Sequence, residues 1–176
     1  MAPAPLSPAG AGAIWLYTCE CALYRELNAR LRDRDRQGLR AGYFPYLRLL
    51  LEGMRALASA QPRTINRGVT LDVVALNPSA YEEEASLTWW SFSSCTKKIS
   101  VLSNPQFLGA SGERTIFQVM TRRGVDIVDF SAVKSEAEVL LPPGTCFTVQ
   151  SVLPKDASGL TIVQLEDDLD APALIQ

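Results

Sequence analysis

The chain is predicted to fold as α+β, and three observations carry that expectation. Its first third places apolar residues at helical spacing. The remainder breaks into short β-branched and aromatic runs separated by turn residues. Helices followed by a succession of strands point to segregated α+β layers and away from alternating βαβ units. The third observation is size: 176 residues with 47% hydrophobic content can bury one sizeable core, whereas two would be a strain. The expected organisation is a flexible Ala/Pro/Gly-rich leader over residues 1–13, one domain over 14–167 and a loose acidic tail over 168–176.

The elements follow in order. Residues 14–31 set Leu16, Leu23, Leu27 and Leu31 four or seven apart, and residues 44–57 continue at helical spacing through Leu47, Leu50, Leu51, Met54 and Leu57. Both read as amphipathic helices. Gly38 and Gly42 break the chain between them, and Pro62 stops the second. Strands are then expected over 64–71, 87–94, 115–120, 125–130, 138–141, 146–153 and 160–165, divided by turns such as Asn104-Pro105, Pro142-Pro143-Gly144 and Ala157-Ser158-Gly159.

Composition excludes several kinds of function. A formal charge of −2 and a pI near 5.2 give no overall attraction to nucleic acid, and the basic run over 30–40 is laced with Asp33 and Asp35, as on a solvated helix face. No stretch approaches the roughly 18 apolar residues of a membrane span, and the start lacks the basic residues of a secretory signal. A soluble chain with no membrane partner is expected, cytoplasmic rather than secreted. The cysteines Cys19, Cys21, Cys95 and Cys146 show no paired Cys-x-x-Cys spacing, so no metal is expected. Histidine is absent altogether. That removes Ser-His-Asp and Cys-His nucleophiles, leaving carboxylates, Lys, Tyr, Arg and backbone groups for any chemistry.

Three strings stand at the edges of predicted strands: Asn66-Arg67-Gly68-Val69, the aromatic Trp89-Trp90-Ser91-Phe92 running into Ser93-Ser94-Cys95-Thr96, and Glu136-Ala137-Glu138 running into Val139-Leu140-Leu141-Pro142-Pro143-Gly144-Thr145. Each alone has an ordinary explanation as surface strand, core strand or solvated strand start. In an extended segment the carboxylates of Glu136 and Glu138 emerge on one face, about 6 to 7 Å apart.

Taken together and in this order, the strings resemble the mono-ADP-ribosyltransferases of the Arg-Ser-Glu class, the group of arginine-specific toxins and ecto-enzymes. The resemblance runs from about Phe44 to about Leu165, and its specific part is Glu136-Ala137-Glu138 with the Val-Leu-Leu-Pro-Pro-Gly-Thr that follows. It implies N-terminal helices on a split, mainly antiparallel β core, with NAD bound as co-substrate in a cleft between two sheets. It also implies the roles of single residues. Arg67 pairs with a phosphate of NAD through its planar donor fork, and Gly68 lets backbone approach the nicotinamide amide. Ser94 bonds the catalytic glutamate and the ribose, Phe107 stacks on nicotinamide, and Glu138 binds the ribose 2′-hydroxyl and stabilises the positive charge that develops as nicotinamide leaves. Glu136 receives the acceptor. A carboxylate there can orient a guanidinium and take its proton, so an arginine-bearing target protein is the implied partner.

The chain departs from the family at Ser94-Cys95-Thr96, where the usual triplet is Ser-Thr-Ser, and at Asn66, a position commonly aromatic. Cys95 is expected to be a buried, inert thiol. Phe130 and Ser131 open the loop leading to Glu136 and are placed against the substrate protein. Three other readings remain open: an NAD glycohydrolase with water as acceptor, a catalytically silent module binding NAD or a protein, and a lectin-like or structural β domain.

Overall fold

A computed structural model describes residues 5–171. Four helices come first: α1 (Pro8–Thr18), α2 (Ala22–Arg32), α3 (Gln37–Gly42) and α4 (Phe44–Leu57). Ser7 caps α1 by accepting from Gly10 N at 3.0 Å, with Pro8 in the first turn. The leader expected over 1–13 is therefore corrected, since residues 8–13 are the first half of a packed helix. Its small residues are a packing surface. A Cβ on Gly53 of α4 would lie 2.8 Å from Gly10 O, so glycine at both positions lets the two helices cross at close range.

The helix expected over 14–31 is two helices, because the chain turns at Cys19–Glu20–Cys21 and starts again at Ala22. Gly38 and Gly42 do not break the chain. They lie within α3, which Leu39 pins into the core. At the other end residues 168–171 are tied down rather than loose. Arg123 Nη2 donates to the carbonyls of Asp168, Leu169 and Ala171 at 3.0, 3.3 and 3.2 Å. The rest of the expected leader and tail, residues 1–4 and 172–176, lies outside the described residues.

The strands are β1 (Arg63–Val69), β2 (Ser86–Trp89), β3 (Ser93–Thr96), β4 (Arg114–Thr121), β5 (Val125–Asp126), β6 (Glu138–Leu141), β7 (Thr145–Leu153) and β8 (Leu160–Asp167). They form one sheet in the order β2-β7-β8-β4-β1-β3-β6-β5. All neighbours are antiparallel except β4 and β8, which gives the mixed, mainly antiparallel α+β fold expected. Two strand expectations need correction. The run over 87–94 divides into β2 at the sheet edge and β3 inside it, and 125–130 is extended only at β5 before a 3-10 turn, Val128–Phe130.

The split implied by the resemblance takes a particular form here. No second, separate sheet exists among the described residues. β1 instead meets β4 through seven successive pairs but meets β3 through the single pair Asn66↔Thr96. Continuing that antiparallel register would set Gly68 opposite Ser94, and there the strands part. One apolar cluster lies between the helices and the short strands, with Ile14, Leu27, Leu50, Phe92 and Leu140. A second covers the other face through Ile65, Phe117, Val139, Phe147 and Val163. Strand alternation along β6 sends Leu140 to the first and Val139 and Leu141 to the second, so Glu138 shares parity with the helix-facing residue. No helix among the described residues is long and apolar enough to cross a membrane.

Candidate active site

Where β1 parts from β3, the carbonyl of half-buried Ser94 takes a side-chain partner. Arg67 supplies it from across the gap, Nη1 donating to Ser94 O at 2.8 Å. The guanidinium also lies over the Trp89 ring, 5.9 Å from its centroid, so the packing beneath Arg67 comes from β2. Asn66, next to it, is itself buried.

The triplet on β3 clasps the acidic segment. Thr96 Oγ1 donates to Glu136 O at 2.7 Å and accepts from Lys98 N at 3.0 Å, while Lys97 N donates to Ala137 O at 3.3 Å. Thr96 also faces Glu138 across the β3–β6 ladder. Cys95 points into the apolar cluster, where burial pushes its thiol up to about 12. It is the inert core thiol expected.

Glu136 and Glu138 line one cleft, though not for the reason their spacing offered. Lys134–Glu136 is a 3-10 turn, and Ala137 is left-handed at φ 47° and ψ 47°, so the two are not neighbours on an extended strand. The turn itself brings both side chains to the same wall. Glu138 is 5% exposed. Burial pushes its carboxyl above the ordinary glutamate range and the charge of Glu136 adds to the rise, while the hydroxyls of Ser94 and Ser131 oppose it. Ser131 Oγ donates to Glu138 Oε2 at 3.5 Å. Glu136 is raised too, by burial and then by Glu20.

Arg67, Ser94, Phe107, Glu136 and Glu138 all line a cleft of about 430 Å³. A smaller chamber of about 200 Å³ adjoins it, with Gly68 and Asn66 in its wall and Arg67, Ser94, Phe107 and Glu136 common to both. The six residues singled out in the sequence thus meet at one site. Gly68 is required by close packing: a Cβ there would sit 2.9 Å from Leu108 Cβ and 3.2 Å from Phe107 O. Leu102, Leu108 and Ile116 form a small cluster that holds this segment, and so Phe107, against the sheet. Phe130 is half-buried and packs against the helical core, while Ser131 is buried with its hydroxyl turned to Glu138.

Several lining residues escaped the sequence reading. Tyr17 on α1 is buried, and its hydroxyl accepts from Asn28 Nδ2 at 2.9 Å. Burial raises the phenol strongly, the Asn28 bond opposes this, and Glu138 and Arg67 both act on it. Asn28 Oδ1 in turn accepts from Phe92 N at 3.1 Å, anchoring the bend before β3. Arg25, Asn28 and Arg32 line the cleft from α2. Their i, i+3, i+7 spacing was the available signal, a polar stripe on a helix whose other face is core.

Against known proteins, the family profile described as NAD:arginine ADP-ribosyltransferase matches residues 1–170. No curated protein matches by sequence. Among solved structures, the ADP-ribosyltransferase HopU1 of Pseudomonas syringae pv. Tomato DC3000 superposes with TM-score 0.75 at 22% identity, over 90% of this chain and 76% of that one. Vis, an ADP-ribosyltransferase toxin from Vibrio splendidus solved in complex with agmatine, gives 0.72 at 21%, over 94% and 77%. Exoenzyme S of Pseudomonas aeruginosa, solved with human 14-3-3 protein beta and Carba-NAD, gives 0.71 at 24%, over 96% and 80%.

Proposed function

The chain belongs to the NAD:arginine ADP-ribosyltransferase family, and on that premise we propose that it transfers ADP-ribose from NAD to arginine side chains of target proteins, releasing nicotinamide. The observation that carries this reading is the convergence of Arg67, Ser94, Glu136 and Glu138, far apart along the chain, on one cleft. NAD is consumed and so is a substrate. Arg67 would hold a phosphate of NAD with the guanidinium edge left over from Ser94 O. Phe107 and the backbone at Gly68 would frame the nicotinamide in the smaller chamber.

Cleavage breaks the bond between ribose C1′ and the nicotinamide nitrogen, and positive charge develops on the ribose. Glu138 would hold the 2′-hydroxyl, and its burial supports this role because a negative charge counts for more in a dry site. It must be ionised to do so. Ser94 and Ser131 supply the hydroxyls that favour that form against burial. The acceptor guanidinium bonds to C1′ through one nitrogen, and Glu136 takes the proton that this nitrogen loses. That Vis was solved with agmatine, a guanidinium compound, supports arginine as acceptor.

Incubation with NAD and agmatine tests the proposal, with nicotinamide and ADP-ribosyl-agmatine measured together. Adduct should form in step with nicotinamide. If agmatine leaves the nicotinamide rate unchanged and only free ADP-ribose appears, water is the acceptor and the protein is an NAD glycohydrolase.

A further inference from the structure

A second cavity, about 870 Å³ and roughly twice the volume of the catalytic cleft, opens between helices α2, α3 and α4 and the loops that carry Trp90 and Gly144. Its floor is apolar: Leu31 lies in the last turn of α2, Leu39 lies on α3, and Leu47 and Leu51 lie on α4. Phe44 and Trp90 stand at its edges, 52% and 48% exposed. Helix α4 has two working faces. Leu47, Leu50, Gly53 and Met54 are buried, while Phe44, Leu47, Arg48, Leu51, Glu52 and Arg55 follow one another at helical spacing along the cavity wall.

The rim of this groove is basic. Arg36 and Arg40 stand on one side, Arg48 and Arg55 on the other, and the single acid at the rim, Glu52, is already paired with Arg48 at 2.8 Å. The imbalance is regional. Residues 22–57 hold eight basic side chains, all arginine, against four acidic ones, in a chain whose overall charge is −2. Guanidinium groups suit carboxylates, which they can grip with two parallel bonds.

We propose that this groove docks an acidic amphipathic helix from a partner protein. The concave shape argues for an inserted element rather than a flat lipid surface. The 14 residues of α4, about 21 Å long, match a partner helix of three to four turns. Such a helix would set apolar side chains at i, i+3 or i+4 and i+7 over Phe44, Leu51 and Trp90, with Asp or Glu on its flanks meeting the two arginine rows. The site is separate from catalysis but shares a wall with it. Leu31 and Trp90 face the groove, while their neighbours Arg32 and Ser91 line the catalytic cleft, joined there at 3.1 Å.

Selection of the full chain against a displayed library of random 15-residue peptides tests the docking site. Recovered peptides should converge on an apolar helical stripe flanked by Asp and Glu. They should bind with micromolar Kd, and bind at least tenfold more weakly to the Arg40→Glu/Arg55→Glu double variant and to Leu51→Asp. Cleavage of NAD by these variants should stay unchanged, which also shows that they fold. Peptides without acidic enrichment, or indifferent to both variants, overturn the proposal. So does binding to phosphatidylserine vesicles that the double charge reversal abolishes, which would assign the groove to a membrane surface. Self-association abolished by the same substitutions would assign it to a second copy and overturn the proposal equally.

Discussion

Two carboxylates in this protein are taken out of water to nearly the same depth, Asp167 at 8% exposure and Glu138 at 5%, and they are treated in opposite ways. Asp167 ends β8 in the broad half of the sheet. One oxygen, Oδ2, accepts from Thr121 Oγ1 at 2.6 Å, from Arg122 N at 2.8 Å and from Arg123 N at 3.1 Å. Glu138 begins β6 in the half made of short strands, and only two hydroxyls act on it, those of Ser94 and of Ser131, the latter at 3.5 Å. A buried charge with full hydrogen bonding is a fastening. One left short of donors is a destabilised base whose missing partners a substrate hydroxyl can supply.

The strongest way to break this comparison is Glu138→Gln. NAD cleavage should fall on the order of 10³-fold, from the loss of charge stabilisation in the transition state, while thermal stability at neutral pH should rise. The sign follows from linkage. Because burial raises the Glu138 carboxyl in the folded state, the wild type is fully stable below the unfolded glutamate pKa and loses stability as pH climbs through the folded one. The stability gain of the variant should therefore appear at pH 7 and vanish toward pH 4. A variant less stable than wild type at pH 7 would mean that Glu138 is a fastening like Asp167.

Glu136→Gln sharpens the comparison by separating acceptor from base. Transfer to agmatine should drop at least tenfold while NAD hydrolysis stays within about threefold, if the proton of the acceptor goes to Glu136. The pH profile carries a second reading. The Glu136 charge helps to raise Glu138, so removing it lets Glu138 ionise at lower pH. The acid limb of NAD hydrolysis should move toward lower pH, whereas an unmoved limb would place Glu136 too far away to act on Glu138.

The reciprocal substitution, Asp167→Asn, should leave NAD cleavage within twofold. It replaces charge-assisted bonds by neutral ones and gives the side chain an amide hydrogen to accommodate, at about 2 kcal/mol. That corresponds to about 4 to 8 °C in Tm for a chain of this size.

How much of this is legible in the sequence depends on the range of the interactions. Helix α4 and strands β4, β7 and β8 follow from local periodicity, because each has one mainly apolar face and a turn residue near an end, and β6 follows from a short run apolar on both faces and closed by Pro142-Pro143-Gly144. The split at Trp90, Ser91 and Phe92 was not legible, since an unbroken aromatic run fits one strand as well as two. What divides it is Asn28, 64 residues away, holding Phe92 N. The leader failed for a similar reason: Gly10 and its neighbours look like linker until Gly53 is seen against them. Arg67, Ser94 and the two glutamates were visible through a family pattern of local strings. Tyr17, Arg25 and Asn28 were not, because a polar stripe on an amphipathic helix reads as solvated until the sheet beneath it opens into a cleft. Glu136 and Glu138 were placed together on a false premise, an extended strand, where a left-handed Ala137 does the work.

Ala137 offers the smallest and finest test of the comparison. It is one of two non-glycine residues with positive φ among the described residues, and it is buried between the two glutamates. An alanine in this conformation costs roughly 1 to 2 kcal/mol. It is held there by bonds at both ends, Ala137 N to Lys134 O and Lys97 N to Ala137 O, each 3.3 Å. Ala137→Gly removes the strain, and the greater freedom of glycine in the unfolded chain returns about 0.5 to 1 kcal/mol of it. The net stabilisation is then about 0 to 1.5 kcal/mol, or up to about 6 °C in Tm. Activity should move the other way by a few-fold, and in transfer more than in hydrolysis, since the backbone joining Glu136 to Glu138 gains freedom while Glu138 stays anchored in the β6 ladder. If Tm rises and both activities are unchanged, the left-handed residue is only a chain reversal, and the relative placing of the two carboxylates is set by Thr96 and its bond to Glu136 O.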